Sequence, residues 1–134
     1  MKKILVTGAN GFIGRHLVKR LNNNYNLDAY CRNLPKDAPS YLKDNFIDSY
    51  IGKKQLSTSH YDYLINCMAC TNTASNNWDE LYESNCATTL DLLRNVSYKN
   101  FIQLSSFSLF SKKSISYSQP DPTTLYGLSK LVSE

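Results

Sequence analysis

A chain of 134 residues, 42% hydrophobic and 19% charged, has enough material for one packed domain with its own core. The net charge of +4 is modest and scattered, with a basic bias from Lys2, Lys3, Arg15, Lys19, Arg20 and Arg32, so no nucleic-acid partner is demanded. No apolar run approaches the ~20 residues of a membrane helix, and only Ile4-Leu5-Val6 separate Met1-Lys-Lys from Thr7-Gly8, so neither a membrane span nor a secretory leader is expected.

The first strand is expected over Lys3–Thr7, where Ile4, Leu5 and Val6 form an apolar run suited to a buried parallel strand. Gly8, Gly11 and Gly14 follow at three-residue intervals. The first helix, about Gly11–Leu21, continues from them as an amphipathic segment. A strand, a glycine turn and a helix in this order suit a dinucleotide pyrophosphate. Such a group sits on unpaired N–H groups at a helix N-terminus, where no Cβ can intervene. Asn22-Asn-Asn24 is a polar turn, and the second strand runs over about Asn26–Cys31. A loop spans Asn33 to Pro39, and a short strand covers about Asn45–Asp48. Gly52–Ser59 reads as a short helix or an irregular connection.

The fourth strand is Tyr61–Cys67, and Thr71–Asn77 is a polar loop. Trp78–Val96 is the longest helix, with Leu81, Tyr82, Asn85, Thr89, Leu92, Leu93 and Val96 near helical spacing. Asn100–Leu104 is the fifth strand, Ser105–Thr124 a serine-rich loop, and a last helix opens near Tyr126. Strands separated by helical crossovers indicate a doubly wound α/β parallel sheet of the Rossmann type, one domain over 1–134. Four cysteines stand at 31, 67, 70 and 86, and the only histidines are His16 and His60. Cys67-Met-Ala-Cys70 lacks a second ligand pair and ends an apolar strand, so small buried thiols in a reducing cytoplasm are expected, with no metal.

Thr7-Gly-Ala-Asn-Gly-Phe-Ile-Gly14 followed by Tyr126-Gly-Leu-Ser-Lys130 resembles the extended short-chain dehydrogenase/reductase family of nucleotide-sugar epimerases, dehydratases and 4-keto-sugar reductases. The resemblance covers essentially the whole chain, and stops where that family's last strands and C-terminal substrate domain begin. It implies that Gly8, Gly11 and Gly14 cradle the pyrophosphate, with Thr7, Phe12 and Ile13 beside them. Asp48 matches the acidic residue that meets the adenine amine, although a turn or cap role reads equally well. Met68 and Ala69 match the small-residue segment beneath the nicotinamide ribose, where Met68 is larger than usual. Asn85 matches a helix asparagine that tethers backbone near the active site.

At the end of the second strand a carboxylate would bind the ribose hydroxyls and favour NAD. This chain has Cys31 and then Arg32 there, and Asp28 falls three residues early. A guanidinium binds a 2′-phosphate bidentately, so the reading favours NADP, with NAD as the second choice.

Tyr126 and Lys130 are four residues apart and share one helix face. A phenol is a poor base at neutral pH, and a neighbouring ammonium favours the phenolate. By resemblance Lys130 also binds the nicotinamide ribose, and Ser106 donates to the substrate oxygen, with Ser105 or Ser108 as alternatives. Sugar dehydratases carry an Asp-Glu pair just beyond that serine. Phe107 and Ser108 stand there instead, which leaves reductase or epimerase chemistry.

The leading expectation is therefore an NADP-dependent oxidoreductase domain for a nucleotide-sugar, possessing a Ser/Tyr/Lys set. Its substrate is gripped by a further C-terminal domain, and a homodimer is compatible with the family. The alternatives are a non-catalytic NADP-binding regulatory domain and an inactive fragment. For the 134-residue chain alone the expectation is cofactor binding that is weak at best, self-association or poor solubility, no turnover and an open apolar patch including parts of Phe101, Leu104 and Leu131.

Overall fold

The structure, a computed structural model, describes residues 1–48, 56, 58–110 and 119–134. Their backbone forms two compact units, residues 1–68 with 93–104, and residues 69–92 with 105–134.

The first unit holds the sheet. Its strands are β1 (Lys3–Thr7), β2 (Asn26–Cys31), β3 (Phe46–Asp48), β4 (His60–Asn66) and β5 (Ser97–Gln103). All pair in parallel, in the order β3-β2-β1-β4-β5. The chain steps outward from β1 to β3, then restarts beside β1 with β4. The order thus reverses between β1 and β4, which makes this a Rossmann-type doubly wound sheet. Ile4, Leu5, Val6 and Thr7 are all nearly inaccessible, so β1 is buried on both faces, as its unbroken apolar run requires.

Helix α1 (Phe12–Leu21) lies on one face of β1 and β2. Gly14 and Val18, one turn apart, are its buried residues, while Arg15, His16, Lys19 and Arg20 face water. Val18 joins Ile4, Val6, Ala9, Leu27, Ala29, Cys31, Ala38 and Leu42 in one apolar core. Leu42 comes from α2 (Ser40–Lys43), a single turn between the expected loop and the expected third strand. Four residues are too few to display a helical period, so this turn left no sequence signal. Asp28 is the mid-strand carboxylate that the sequence placed away from the strand end. It meets Lys3 Nζ at 3.2 Å and accepts a 2.7 Å bond from the Tyr61 hydroxyl. Tyr61 is wholly buried. Burial first, and the Asp28 carboxylate second, push its phenol well above the ordinary tyrosine range.

The second unit contributes helical segments. Helix α3 (Trp78–Tyr82) starts where Asn77 Oδ1 accepts the Glu80 N–H at 3.2 Å. A π-helical turn (Glu83–Ala87) joins it to α4 (Thr88–Asn95). The single helix expected over Trp78–Val96 is therefore interrupted. The Thr88 hydroxyl donates to the Glu83 carbonyl at 2.8 Å, five residues back, which suits the wider turn. A 3-10 turn (Phe107–Leu109) precedes α5 (Leu125–Val132), whose N-cap is Thr124, with Oγ1 accepting the Gly127 N–H at 3.0 Å.

The connection expected at 52–59 falls largely outside the described residues, as do 111–118 of the serine-rich loop. Phe101, Leu104 and Leu131, expected to take part in an open apolar patch, are each partly buried, and the exposed apolar residue of β5 is Ile102, at 44%. Side chains alternate across a strand, so the neighbour of a half-covered Phe101 faces outward. No helix among the described residues is long and apolar enough to cross a membrane.

Candidate functional site

The glycine turn begins where β1 ends. Gly8 has φ +62°, the left-handed region that a side chain rarely adopts. A Cβ on Gly8 would lie 2.8 Å from the Cys67 carbonyl and from the Met68 nitrogen. The Gly8 carbonyl folds inward and accepts the Gly11 N–H at 2.9 Å. A Cβ on Gly14 would lie 2.2 Å from that same carbonyl oxygen. Gly8 and Gly14 thus let the turn close against β4 and the first turn of α1. Gly11 caps α1 without a side-chain acceptor, and no acidic residue occupies the first turn. Phe12 and Ile13 stand exposed beside it, at 74% and 51%. The result is an uncluttered helix N-terminus at the carboxyl end of β1, next to the point where strand order reverses. Its backbone donors and partial positive charge suit a pyrophosphate, and its Cβ-free surface fits that group.

The neighbouring strand ends complete this edge. Thr7 is inaccessible, and its hydroxyl donates to Asn66 Oδ1 at 2.5 Å. Asn66 also accepts the Met68 N–H at 3.2 Å and donates to Gln103 Oε1 at 2.8 Å. This buried chain links the ends of β1, β4 and β5, and fixes half-buried Met68 beside Gly8. It escaped the sequence reading because Asn66 and Gln103 lie in apolar-looking strands with no motif around them. On the other side, Cys31 is buried and Arg32 exposed, and Asp48 stands opposite Cys31 on β3. Burial is the main cause raising the Cys31 thiol pKa. Asn10 Nδ2 donates to the Asn33 carbonyl at 3.1 Å, tying the glycine turn to the loop after Arg32.

In the second unit, Tyr126 and Lys130 occupy successive turns of α5 and are 9% and 3% exposed. Burial lowers the Lys130 ammonium pKa, and the charges of Glu134 and Cys86 partly oppose this. Asn85, 1% exposed, sits within the π-helical turn. Its Oδ1 accepts the Cys70 N–H at 2.7 Å, next to half-buried Ala69, and its Nδ2 donates to Ser129 Oγ at 2.8 Å. Ser106 is partly buried and caps the 3-10 turn, accepting the Ser108 N–H at 3.2 Å. Ser105 is exposed and bonds to Glu134.

Gly127 is the residue whose role the sequence reading missed. A Cβ there would lie 2.2 Å from the Ser108 carbonyl oxygen, so only glycine lets α5 rest on the serine turn directly after Tyr126. Gly127→Ala is expected to cost about 1–3 kcal/mol as an overpacked contact. Urea unfolding should show a lower midpoint with an unchanged slope. An unchanged midpoint would show that α5 does not need this close approach. All four cysteines are unpaired thiols, and burial pushes Cys67 up to about 11. Among the described residues no group of three His, Cys, Asp or Glu could hold a metal ion.

Comparison with known proteins places this geometry. The model of the NAD dependent epimerase/dehydratase family matches residues 4–134. UDP-glucuronic acid 4-epimerase from Bacillus cereus, solved with NAD, is 26% identical with a TM-score of 0.77 over 98% of this chain and 49% of its own. L-threonine dehydrogenase from Clostridium difficile is 25% identical with a TM-score of 0.78, over 99% of this chain and 47% of its own. Methionine adenosyltransferase 2 subunit beta from Danio rerio is 25% identical over 99% of this chain and 42% of its own. The chain thus spans about half the length, or less, of these relatives.

Proposed function

The chain belongs to the NAD dependent epimerase/dehydratase family, and from that premise we propose that it supplies the dinucleotide-binding part of an NAD(P)-dependent oxidoreductase acting on a nucleotide-sugar, of epimerase or 4-keto-sugar reductase type. The observation that carries this is the glycine turn, where a Cβ on Gly8 or Gly14 would strike backbone at 2.8 and 2.2 Å beside an uncapped helix N-terminus. The turn of Gly8, Gly11 and Gly14 would cradle the pyrophosphate at the N-terminus of α1, and Arg32 and Asp48 would flank the adenosine end. When bound, the dinucleotide supplies a hydride donor or acceptor.

The chain's own residues handle the proton. Tyr126 Oη takes a proton from a substrate hydroxyl or returns it to the oxygen. The Lys130 ammonium stabilises negative charge on that oxygen and donates to the cofactor's ribose. Ser106 Oγ donates to the reacting substrate oxygen and holds it in place. Phe107 and Ser108 offer no carboxylate for eliminating water, which supports oxidation or reduction over dehydration.

Arg32 in place of a strand-end carboxylate favours NADP over NAD, although the Bacillus cereus relative was solved with NAD. Titration by nicotinamide fluorescence should show NADPH binding about tenfold tighter than NADH, the scale of one charge-assisted contact. Arg32→Ala should erase the difference. Equal affinities in the parent chain would remove NADP as the preferred cofactor, and failure of a polypeptide completed to the relatives' length to bind either would overturn the function proposed.

A second reading is a regulatory dinucleotide-binding subunit without turnover. It is favoured by the likeness to a protein named as a subunit of methionine adenosyltransferase. Dinucleotide binding that survives while no nucleotide-sugar is turned over, in a polypeptide completed to the relatives' length, would favour it.

A further inference from the structure

Two adjacent residues of the π-helical turn close on one serine. Asn85 Nδ2 donates to Ser129 Oγ at 2.8 Å, and the Cys86 thiol donates to the Ser129 carbonyl at 3.2 Å. Ser129 Oγ then donates to the Tyr126 carbonyl at 2.8 Å, one helical turn back. At the other end, Asn85 Oδ1 accepts the Cys70 N–H at 2.7 Å, and Nδ2 also faces the Cys70 carbonyl at 3.4 Å. Ser129 is wholly inaccessible and Asn85 nearly so, which makes each bond costly to lose. A serine inside a helix commonly bonds back to a carbonyl of the preceding turn. Here the same hydroxyl also accepts from Asn85, so it bonds as both donor and acceptor. The π-helical turn widens the helix where both clamping residues stand, and such turns recur at functional sites.

We infer that Ser129 is a positioning residue: its hydroxyl joins the backbone at Cys70 to the helical turn that carries Tyr126 and Lys130, through Asn85. The link between this relay and proton transfer rests on the function proposed above. Ser129 itself is wholly inaccessible, so it acts through the residues it bonds. With the hydroxyl removed, Asn85 loses its anchor on α5 and is held against Cys70 by its own bonds to that residue alone. The loop 69–71 then loosens, although it is 58 residues or more away in sequence.

Amide hydrogen exchange on the full 134-residue chain reads this directly. Ser129→Ala should speed exchange of the Cys70 amide at least tenfold, and Ser129→Thr, which keeps the hydroxyl, should bring it back close to the parent rate. A rise confined to α5 would assign Ser129 a local packing role and overturn the relay. Equal behaviour of the alanine and threonine variants would overturn it too. Where Ser129→Ala fails to fold, Ser129→Cys keeps the volume with a weaker acceptor and should give an intermediate rate at Cys70. A parent-like rate in that variant would refute the inference. The exchange measurement needs no cofactor. An NADPH titration of a polypeptide completed to the relatives' length separates the two claims, because absent binding there sinks the function proposed while the exchange rates still decide the relay.

Discussion

Replacing Tyr126 with phenylalanine is expected to lower nucleotide-sugar turnover by about 10²–10⁴-fold, the usual worth of a positioned general acid or base. The assay requires residues 1–134 joined to the segment that completes the relatives' length, since this chain covers 49% of the Bacillus cereus epimerase. Dinucleotide affinity should stay near the parent value, because the substitution removes one oxygen and leaves the ring's packing in place. Lys130→Met should behave differently. Lys130 is 3% exposed, and burial lowers its ammonium pKa, so the fold bears a cost to keep this side chain where it is. Its loss should weaken both turnover and dinucleotide binding. A Tyr126→Phe enzyme with near-parental turnover would remove Tyr126 from proton transfer. A Lys130→Met enzyme with unaltered dinucleotide affinity would remove Lys130 from the ribose.

The strands were legible because a parallel strand buried on both faces must be apolar almost throughout. Lys3–Thr7 and Asn26–Cys31 match residue for residue, and His60–Asn66 lies within one residue of the expected bounds. The fifth strand began three residues earlier than expected, at Ser97. Its first four residues are mostly polar, so Ser97-Tyr-Lys-Asn looks like a turn. The glycine turn was legible for a different reason, since backbone contact excludes every residue but one. The π-helical turn was not legible. The partners that accompany it are tertiary, since Asn85 and Cys86 bond to Ser129 on another helix. Gly127 was equally silent, because its partner Ser108 is 19 residues away, and the spacing of Tyr126 and Lys130 hides what lies between them.

The three glycines of the turn are expected to separate folding from binding when each becomes alanine. A Cβ at Gly14 would meet only backbone, at 2.2 Å from Gly8 O, 2.8 Å from Gly8 C and 2.9 Å from Ala9 Cα. Nothing there can rotate aside, so Gly14→Ala should destabilise by about 1–3 kcal/mol or more. Gly8→Ala combines a left-handed residue, about 1–2 kcal/mol, with a 2.8 Å contact to the Cys67 carbonyl. Both variants should lose dinucleotide binding, but each loss is open to explanation by a damaged turn. Gly11 is different. It is exposed, has ordinary φ, and its Cβ would lie 3.1 Å from a single atom, Gly8 O. Gly11→Ala should therefore unfold in urea close to the parent midpoint. Yet Gly11 is the N-cap of α1, where a pyrophosphate must approach the backbone most closely. A methyl group there should weaken NADPH and NADH binding at least tenfold, about 1.4 kcal/mol, with little loss of stability. Full dinucleotide affinity in Gly11→Ala would mean that the pyrophosphate does not rest on this helix N-terminus. The close contacts of Gly8 and Gly14 would then serve the packing of α1 against the sheet alone.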